Sequence, residues 1–231
     1  MIDVLKQKLV AAGRILVDEG QGDTIFGHVT ARYPDDPNRF LMKAAAIGLE
    51  EITLDNIITV DVEGEKVAGT MPRHLEVFIH TEVMRVRPDV NAVVHTHPLH
   101  ATAFSSLGRP LLPVGHEGSF FCDGLPVFSE TTDLIIDHAR GRAVARSLGS
   151  HSALLLQNHG IVTAAATIEE AVVLALALER ACHMQLLAEA AGGPKAVTPP
   201  EEAKAKKARL VRKEPFMQVF DYLTRQLPPR R

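Results

Sequence analysis

Three apolar residues, Ala92, Val93 and Val94, lead directly into His95, Thr96 and His97, and no other stretch restricts the fold as much. A short apolar run between Asn91 and Pro98 reads as a buried strand. Such a strand admits imidazoles only where something satisfies their nitrogens. Residues two apart in a strand point to one side, so His95 and His97 project in parallel. Two neutral imidazoles so placed can hold one divalent ion, with a third ligand completing a site that keeps open positions. His159 suits that role: it follows the strand-like ALLLQ run and precedes Gly160, which permits a tight turn. Read alone, the pair fits equally well a core in which both rings bond to backbone.

Around this strand the chain alternates helical and extended patterns. MIDVLKQKLVAAGRILVDEG reads as an amphipathic helix with Leu5, Leu9, Ala12 and Leu16 on one face and Gly20 at its end. Residues 22–29 read as a turn, and 39–42, 57–62 and 65–68 as strands, the last two forming a hairpin around Gly64. Leu75, Ile79, Val83 and Val86 recur at helical spacing until Pro88 stops the helix. A third helix is expected from Pro98 to Phe104, loops with short strands from Gly108 to Pro126, and a helix from Asp133 to Leu148. Strands at 153–157 and 161–163 follow. Thr167 with Glu170 forms a capping-box signature for a long alanine-rich helix to about Glu189. Residues 1–190 thus read as one domain, and 191–231 as a Gly/Pro linker with a helical tail that packs on the same domain or on a neighbouring subunit. The pattern indicates an α/β or α+β sandwich, and no G-x-G-x-x-G marks a dinucleotide site.

Composition narrows the partners. A net charge of -3 with both signs dispersed predicts no attraction to nucleic acid or to an anionic membrane. The lysines and arginines between Lys204 and Lys213 read as a solvated helical face. Cys122 and Cys182 lie in no CxxC pair, so neither a disulfide framework nor a thiolate zinc site is indicated. No stretch reads as a signal peptide or, once charges are counted, as a bilayer span, so a cytoplasmic protein is expected.

One acid stands out. Glu76 and His80 are four apart on the helix expected before the histidine strand, so they share a face. A carboxyl beside a metal can shuttle protons, and partial burial would tune it toward neutrality. Alone, it reads as a helix-start carboxylate favoured by the helix dipole. His100, His116, His138, His151 and His183 are assigned structural roles.

Taken together, PRHLEVFIHTEVMRVRPDVNAVVHTHPLHATAFS, the later LLLQNHGIV, GHVTAR near Gly27 and LMKAAAIGLEEIT resemble the class II aldolase/adducin family from the first helix to about Glu189. The resemblance implies a three-layer αβα sandwich around a mostly antiparallel central sheet. It implies that His95, His97 and His159 bind one divalent metal ion per subunit, zinc or manganese, with Glu76 as catalytic acid/base. It also implies a homotetramer with active sites at subunit interfaces, where a C-terminal tyrosine, here Tyr222, reaches a neighbouring site.

Departures from the family pattern bear on the substrate. Sugar-phosphate aldolases of this family hold phosphate with a GN-x-S loop, a glycine near a P-[ST]-G turn and a Ser-Ser pair before the acid. Here those positions read Gly27-His28-Val29-Thr30, Ala44-Ala45-Ala46 and His74-Leu75. Most phosphate-binding hydroxyls and one permissive glycine are missing, so a phosphate ester loses its cradle. Lys43, Arg73, His74 and His28 are expected to face the pocket instead as a cationic, aromatic-friendly wall, with Arg73 taking a carboxylate in two-point fashion. This resembles the branch that decarboxylates hydroxylated aromatic dicarboxylates such as dihydroxyphthalate. The alternatives are an aldolase for a non-phosphorylated hydroxy-keto acid, a sugar-phosphate aldolase/epimerase, and an adducin-like scaffold without catalysis.

Overall fold

A computed structural model describes residues 1–229 of the chain. The eight strands are β1 (His28–Arg32), β2 (Arg39–Lys43), β3 (Ile57–Asp61), β4 (Lys66–Ala68), β5 (Ala92–Thr96), β6 (Val127–Phe128), β7 (Ala153–Leu156) and β8 (Gly160–Ala165). They form one sheet in the order β4-β3-β2-β1-β5-β8-β7-β6. Every pairing is antiparallel except β6 with β7.

Among the described residues eight α-helices cover it: α1 (Ile2–Leu16), α2 (Val77–Val86), α3 (Leu99–Ser105), α4 (Gly115–Gly118), α5 (His138–Leu148), α6 (Ile168–Ala190), α7 (Pro200–Leu210) and α8 (Lys213–Gln226). Alternation along β5 explains the layers. Ala92 and Val94 pack with α1, α3, α6 and α8 on one face, while Val93 packs with α2 and α5 on the other. The sandwich therefore has two apolar cores, and His95 belongs to the α2/α5 side by the same alternation.

Three departures from the sequence pattern affect the site. Residues 28–32, taken partly as turn, form a central strand, with His28 opposite His95 and Val29 opposite Val94. Two buried neighbouring strands supply what the polar-looking HVTAR segment lacks in propensity. The helix expected from Asp133 begins only at His138, because Asp137 caps it by accepting a hydrogen bond from the Arg140 amide. The segment before it stays unwound and its amides donate to side chains instead, that of Asp133 to Thr131 and that of Leu134 to Asp133. Finally, α6 is long and apolar enough for a bilayer span by length and composition, contrary to the sequence expectation, yet 61% of its most apolar window is buried in the fold. Each fully buried leucine or valine there contributes about 1.5–3 kcal/mol, so α6 is accounted for as a core helix. Thr167 caps it as expected, accepting from the Glu170 amide.

At the C-terminus α8 lies on α6 and α1, with Phe216 and Phe220 buried. The helix α7 packs beside the turn at residues 119–121.

Candidate metal centre

The end of β5, the start of β8 and the N-terminus of α2 converge at one edge of the sheet. Ligand atoms of Glu76, His95, His97 and His159 there lie within 4.8 Å of one another. The register accounts for the meeting: Thr96 pairs with Ile161, so the residues just beyond, His97 and the Asn158-His159-Gly160 turn, stand side by side. Asn158 adopts φ 56°, a left-handed conformation that asparagine tolerates better than most residues. Gly160 allows the approach, since a Cβ there would stand 2.4 Å from the Thr96 carbonyl oxygen and 2.8 Å from the His97 ring.

The imidazoles are aimed as ligands. His95 donates from Nδ1 to the Ile161 carbonyl at 2.8 Å, and His97 places Nδ1 2.9 Å from Asp23 Oδ2. A carbonyl or carboxylate only accepts, so both rings carry their proton on Nδ1 and turn a bare Nε2 inward. The two Nε2 atoms are 3.0 Å apart. His159 Nε2 is enclosed and has no hydrogen-bond partner. Buried polar atoms are nearly always satisfied, and a divalent ion would satisfy this one. The donor set, three imidazoles and a carboxylate, with His95 and His97 held from behind by a carbonyl and a carboxylate, therefore fits a metal ion.

Glu76 stands at the N-cap position of α2, where its side chain makes no capping hydrogen bond, and is 7% exposed. Its Oε1 accepts from the Ile135 amide at 2.8 Å, one of the amides left free by the late start of α5. Its oxygens lie 3.6 Å from His159 Nε2 and 3.7 Å from His95 Nε2. Burial on its own would raise this carboxyl, and the facing His159 and His95 rings, when protonated, outweigh it and draw Glu76 well below the usual carboxylate range, the reverse of the expected drift toward neutrality.

Beside the four donors lies a cavity of about 190 Å³ whose wall includes His28, Ala45, Ala46, Arg73, His74, Glu76 and His97. Arg73 is the one cation in that wall. Its guanidinium donates to the His74 carbonyl and lies 5.6 Å from the Phe78 ring centre. His74 and His28 line the cavity as anticipated, but not as cations. Burial and the Lys43 charge push His74 down to about 4, and burial with the surrounding His74, His80 and His95 rings pushes His28 well below 6.5. Ala46 adopts φ 65°, so the turn keeps its left-handed conformation without glycine.

Lys43 stands behind this wall rather than in it. It is fully buried, donates to the Ile25 carbonyl at 2.8 Å and lies 3.2 Å from His74 Nε2. Desolvation lowers it to about 8 against the opposing pull of Glu50 and Glu51. Below that value both folded and unfolded chains hold the proton and the burial penalty stands in full. Between about 8 and 10.5 only the unfolded chain retains it, so stability rises with pH, by roughly 3 kcal/mol over the window. Denaturant titrations of wild type and Lys43→Met on either side of pH 8 check this: the wild type should gain on the variant as pH rises. Tyr222 lies on α8, half-exposed, and is not part of the cavity wall within one chain.

Asp23 and the inner partners of His28 were not legible as site residues. Asp23 sits between Gly22 and a left-handed Thr24 at φ 48°, in a loop with no regular pattern to announce a contact to His97. A larger groove of about 490 Å³ lies at the opposite sheet edge, lined by residues such as Met1, Leu5, Tyr33 and Ile168. It gathers no metal-ligating cluster among the described residues, and its Lys8 and Glu169 pair with each other.

Comparison with known proteins agrees with this geometry. Residues 7–186 match the family described as Class II Aldolase and Adducin N-terminal domain. Decarboxylase NovR of Streptomyces niveus is 36% identical over 190 residues, 81% of this chain and 68% of that protein. The 3,4-dihydroxyphthalate decarboxylase of Arthrobacter keyseri is 29% identical over 203 residues, covering 81% of this chain and 80% of its own. Among solved structures, L-fuculose 1-phosphate aldolase from Glaciozyma antarctica PI12 superposes with a TM-score of 0.83 at 30% identity, over 97% of this chain and 91% of that one. With the fold, the histidine–glutamate cluster and the matched residues in agreement, the chain belongs to the class II aldolase and adducin family.

Proposed function

We propose that this protein is a metal-dependent carbon–carbon lyase that decarboxylates a hydroxylated aromatic acid bearing a second carboxylate. The observation that carries the reading is the cavity wall, where neutral His28 and His74 and the single cation Arg73 stand in place of phosphate-binding hydroxyls. At about 190 Å³ the cavity suits one ring, since a cavity of about 150 Å³ already takes up benzene. The names of NovR and of the dihydroxyphthalate decarboxylase point the same way.

His95, His97 and His159 would hold the ion, zinc or manganese, which supplies Lewis-acid stabilisation to the charge developing on substrate oxygens. Arg73 takes the carboxylate that is retained, presenting a planar pair of donors. The bond between ring carbon and departing carboxylate breaks with its electron pair left on the ring. Glu76, already ionised, relays a solvent proton to that carbon. Its Oε1 is pinned by the Ile135 amide, so Oε2 is the free oxygen for the transfer. The expected assembly is a homotetramer in the cytoplasm, with residues 1–190 as the catalytic domain and Tyr222 from the tail of one copy reaching the site of another. Ile25, Phe26, Leu75 and Leu134 support a covered mouth, being exposed apolar side chains around one cavity.

A second reading is an aldolase for a non-phosphorylated hydroxy-keto acid or a sugar phosphate. The left-handed turn retained at Ala46 and the likeness to L-fuculose 1-phosphate aldolase favour it. An adducin-like scaffold without catalysis is the least favoured, because all four donor residues are in place. Incubating the metal-loaded protein with hydroxylated aromatic dicarboxylates and with sugar phosphates, while following carbon dioxide and aldehyde, decides among these. Carbon dioxide from a dicarboxylate is the expected outcome; aldehyde alone supports the aldolase, and inertness with no bound ion the scaffold.

A further inference from the structure

A chain of buried hydrogen bonds runs from the core to the cavity wall. His28 and Thr30 are two apart on β1 and so share a face, and His80 of α2 packs over them. Their exposures are 2%, 0% and 0%. The Thr30 hydroxyl lies 3.4 Å from the Val93 carbonyl and 2.7 Å from His80 Nδ1, while His80 Nε2 lies 2.6 Å from His28 Nδ1. With all three side chains buried, the direction of this sequence is set by its inner end.

That end is a carbonyl, which only accepts. The Thr30 hydroxyl donates to it, so the hydroxyl oxygen receives the proton borne by His80 Nδ1. His80 Nε2 is then bare and accepts from His28 Nδ1–H, which leaves His28 Nε2 bare as well. This nitrogen has no hydrogen-bond partner among the described residues, and it is not one of the fully enclosed unpartnered atoms. The His28 ring forms part of the cavity wall, so its free nitrogen opens there.

We propose that His28 determines specificity by offering Nε2 as a hydrogen-bond acceptor, selecting a substrate that directs a free hydroxyl at it. His80 and Thr30 are positioning residues that fix its tautomer. A carboxylate or phosphate oxygen, itself an acceptor, finds no donor at this point. The wall is therefore divided: Arg73 receives the anionic group and His28 the hydroxyl. The identity of the ligand rests on the proposed decarboxylase reading, whereas the tautomer does not.

The two are tested separately. Two-bond nitrogen–proton correlation spectra of histidine-labelled, zinc-loaded protein are expected to place the proton of His28 and of His80 on Nδ1, with both Nε2 atoms unprotonated. A proton on His28 Nε2 would overturn the proposal whatever the substrate. Thr30→Val, which keeps the side-chain shape while removing the hydroxyl, should turn the single tautomer of His80 and His28 into a mixture; an unchanged spectrum removes Thr30 from the relay and with it the argument for direction. Binding of a dihydroxylated phthalate and its two mono-O-methyl derivatives supplies the ligand readout. One methylation should weaken binding to wild type by about tenfold, and His28→Phe should erase that difference. A penalty that survives in His28→Phe for both derivatives would overturn the assignment of the hydroxyl to His28. Failure to release carbon dioxide would count against the decarboxylase and leave the tautomer result standing.

Discussion

Replacing Glu76 by glutamine should lower turnover by about 10²–10⁴-fold, the range over which a positioned acid or base contributes, while the bound ion stays at one per chain. The substitution keeps the shape of the side chain and its acceptor for the Ile135 amide, so α2 and the unwound segment before α5 hold their places. What it removes is an oxygen that can carry a proton. Carbon dioxide release and metal content measured on the same preparation distinguish the roles. Loss of the ion together with activity would make Glu76 a fourth ligand instead of the relay, and retained activity would remove it from the chemistry.

The second large effect is expected at Gly160→Ala. An added methyl group would meet the Thr96 carbonyl at 2.4 Å, and backbone in the middle of a sheet does not yield cheaply. We expect a loss of about 1–3 kcal/mol in stability, accompanied by a disproportionate loss of metal. The same methyl would press on the His97 ring at 2.8 Å, and a ligand displaced by a fraction of an ångström no longer converges with the other three. Thermal melts with and without added zinc separate the two components. If the variant melted lower but bound the ion normally, the close contact would be structural only.

The sequence makes the candidate donor pair legible because Ala92 to His97 presents it in the plainest code a chain has: three apolar residues, then two imidazoles with one residue between them. The third histidine and the acid become legible only through the longer motif, since a histidine in a turn and a glutamate at a helix start are common in unrelated folds. Electrostatic character was the less readable part. His28, His74 and Lys43 look cationic when counted as residues, but burial beside one another removes the protons of the first two and turns the third into a strut for the Ile25 carbonyl. Strand β1 was obscured by the Gly-rich stretch before it, although it lies in the middle of the sheet. Asp23 had no local signal at all, because its partner is seventy-four residues away.

The four donors are drawn from positions 76 to 159, on a helix, a strand and a turn that share no local connection. An ion held there acts as a non-covalent cross-link, closing long stretches of chain whose entropy would otherwise favour separation. Its contribution follows its free concentration, about 4 kcal/mol when present at a thousand times its dissociation constant. Durability at this edge of the sheet is therefore a property of the surrounding solution as much as of the polypeptide. The opposite edge, closed by the start of α1 and the turn into α6, has no such cluster among its described residues and is held by packing and by the Lys8–Glu169 ion pair.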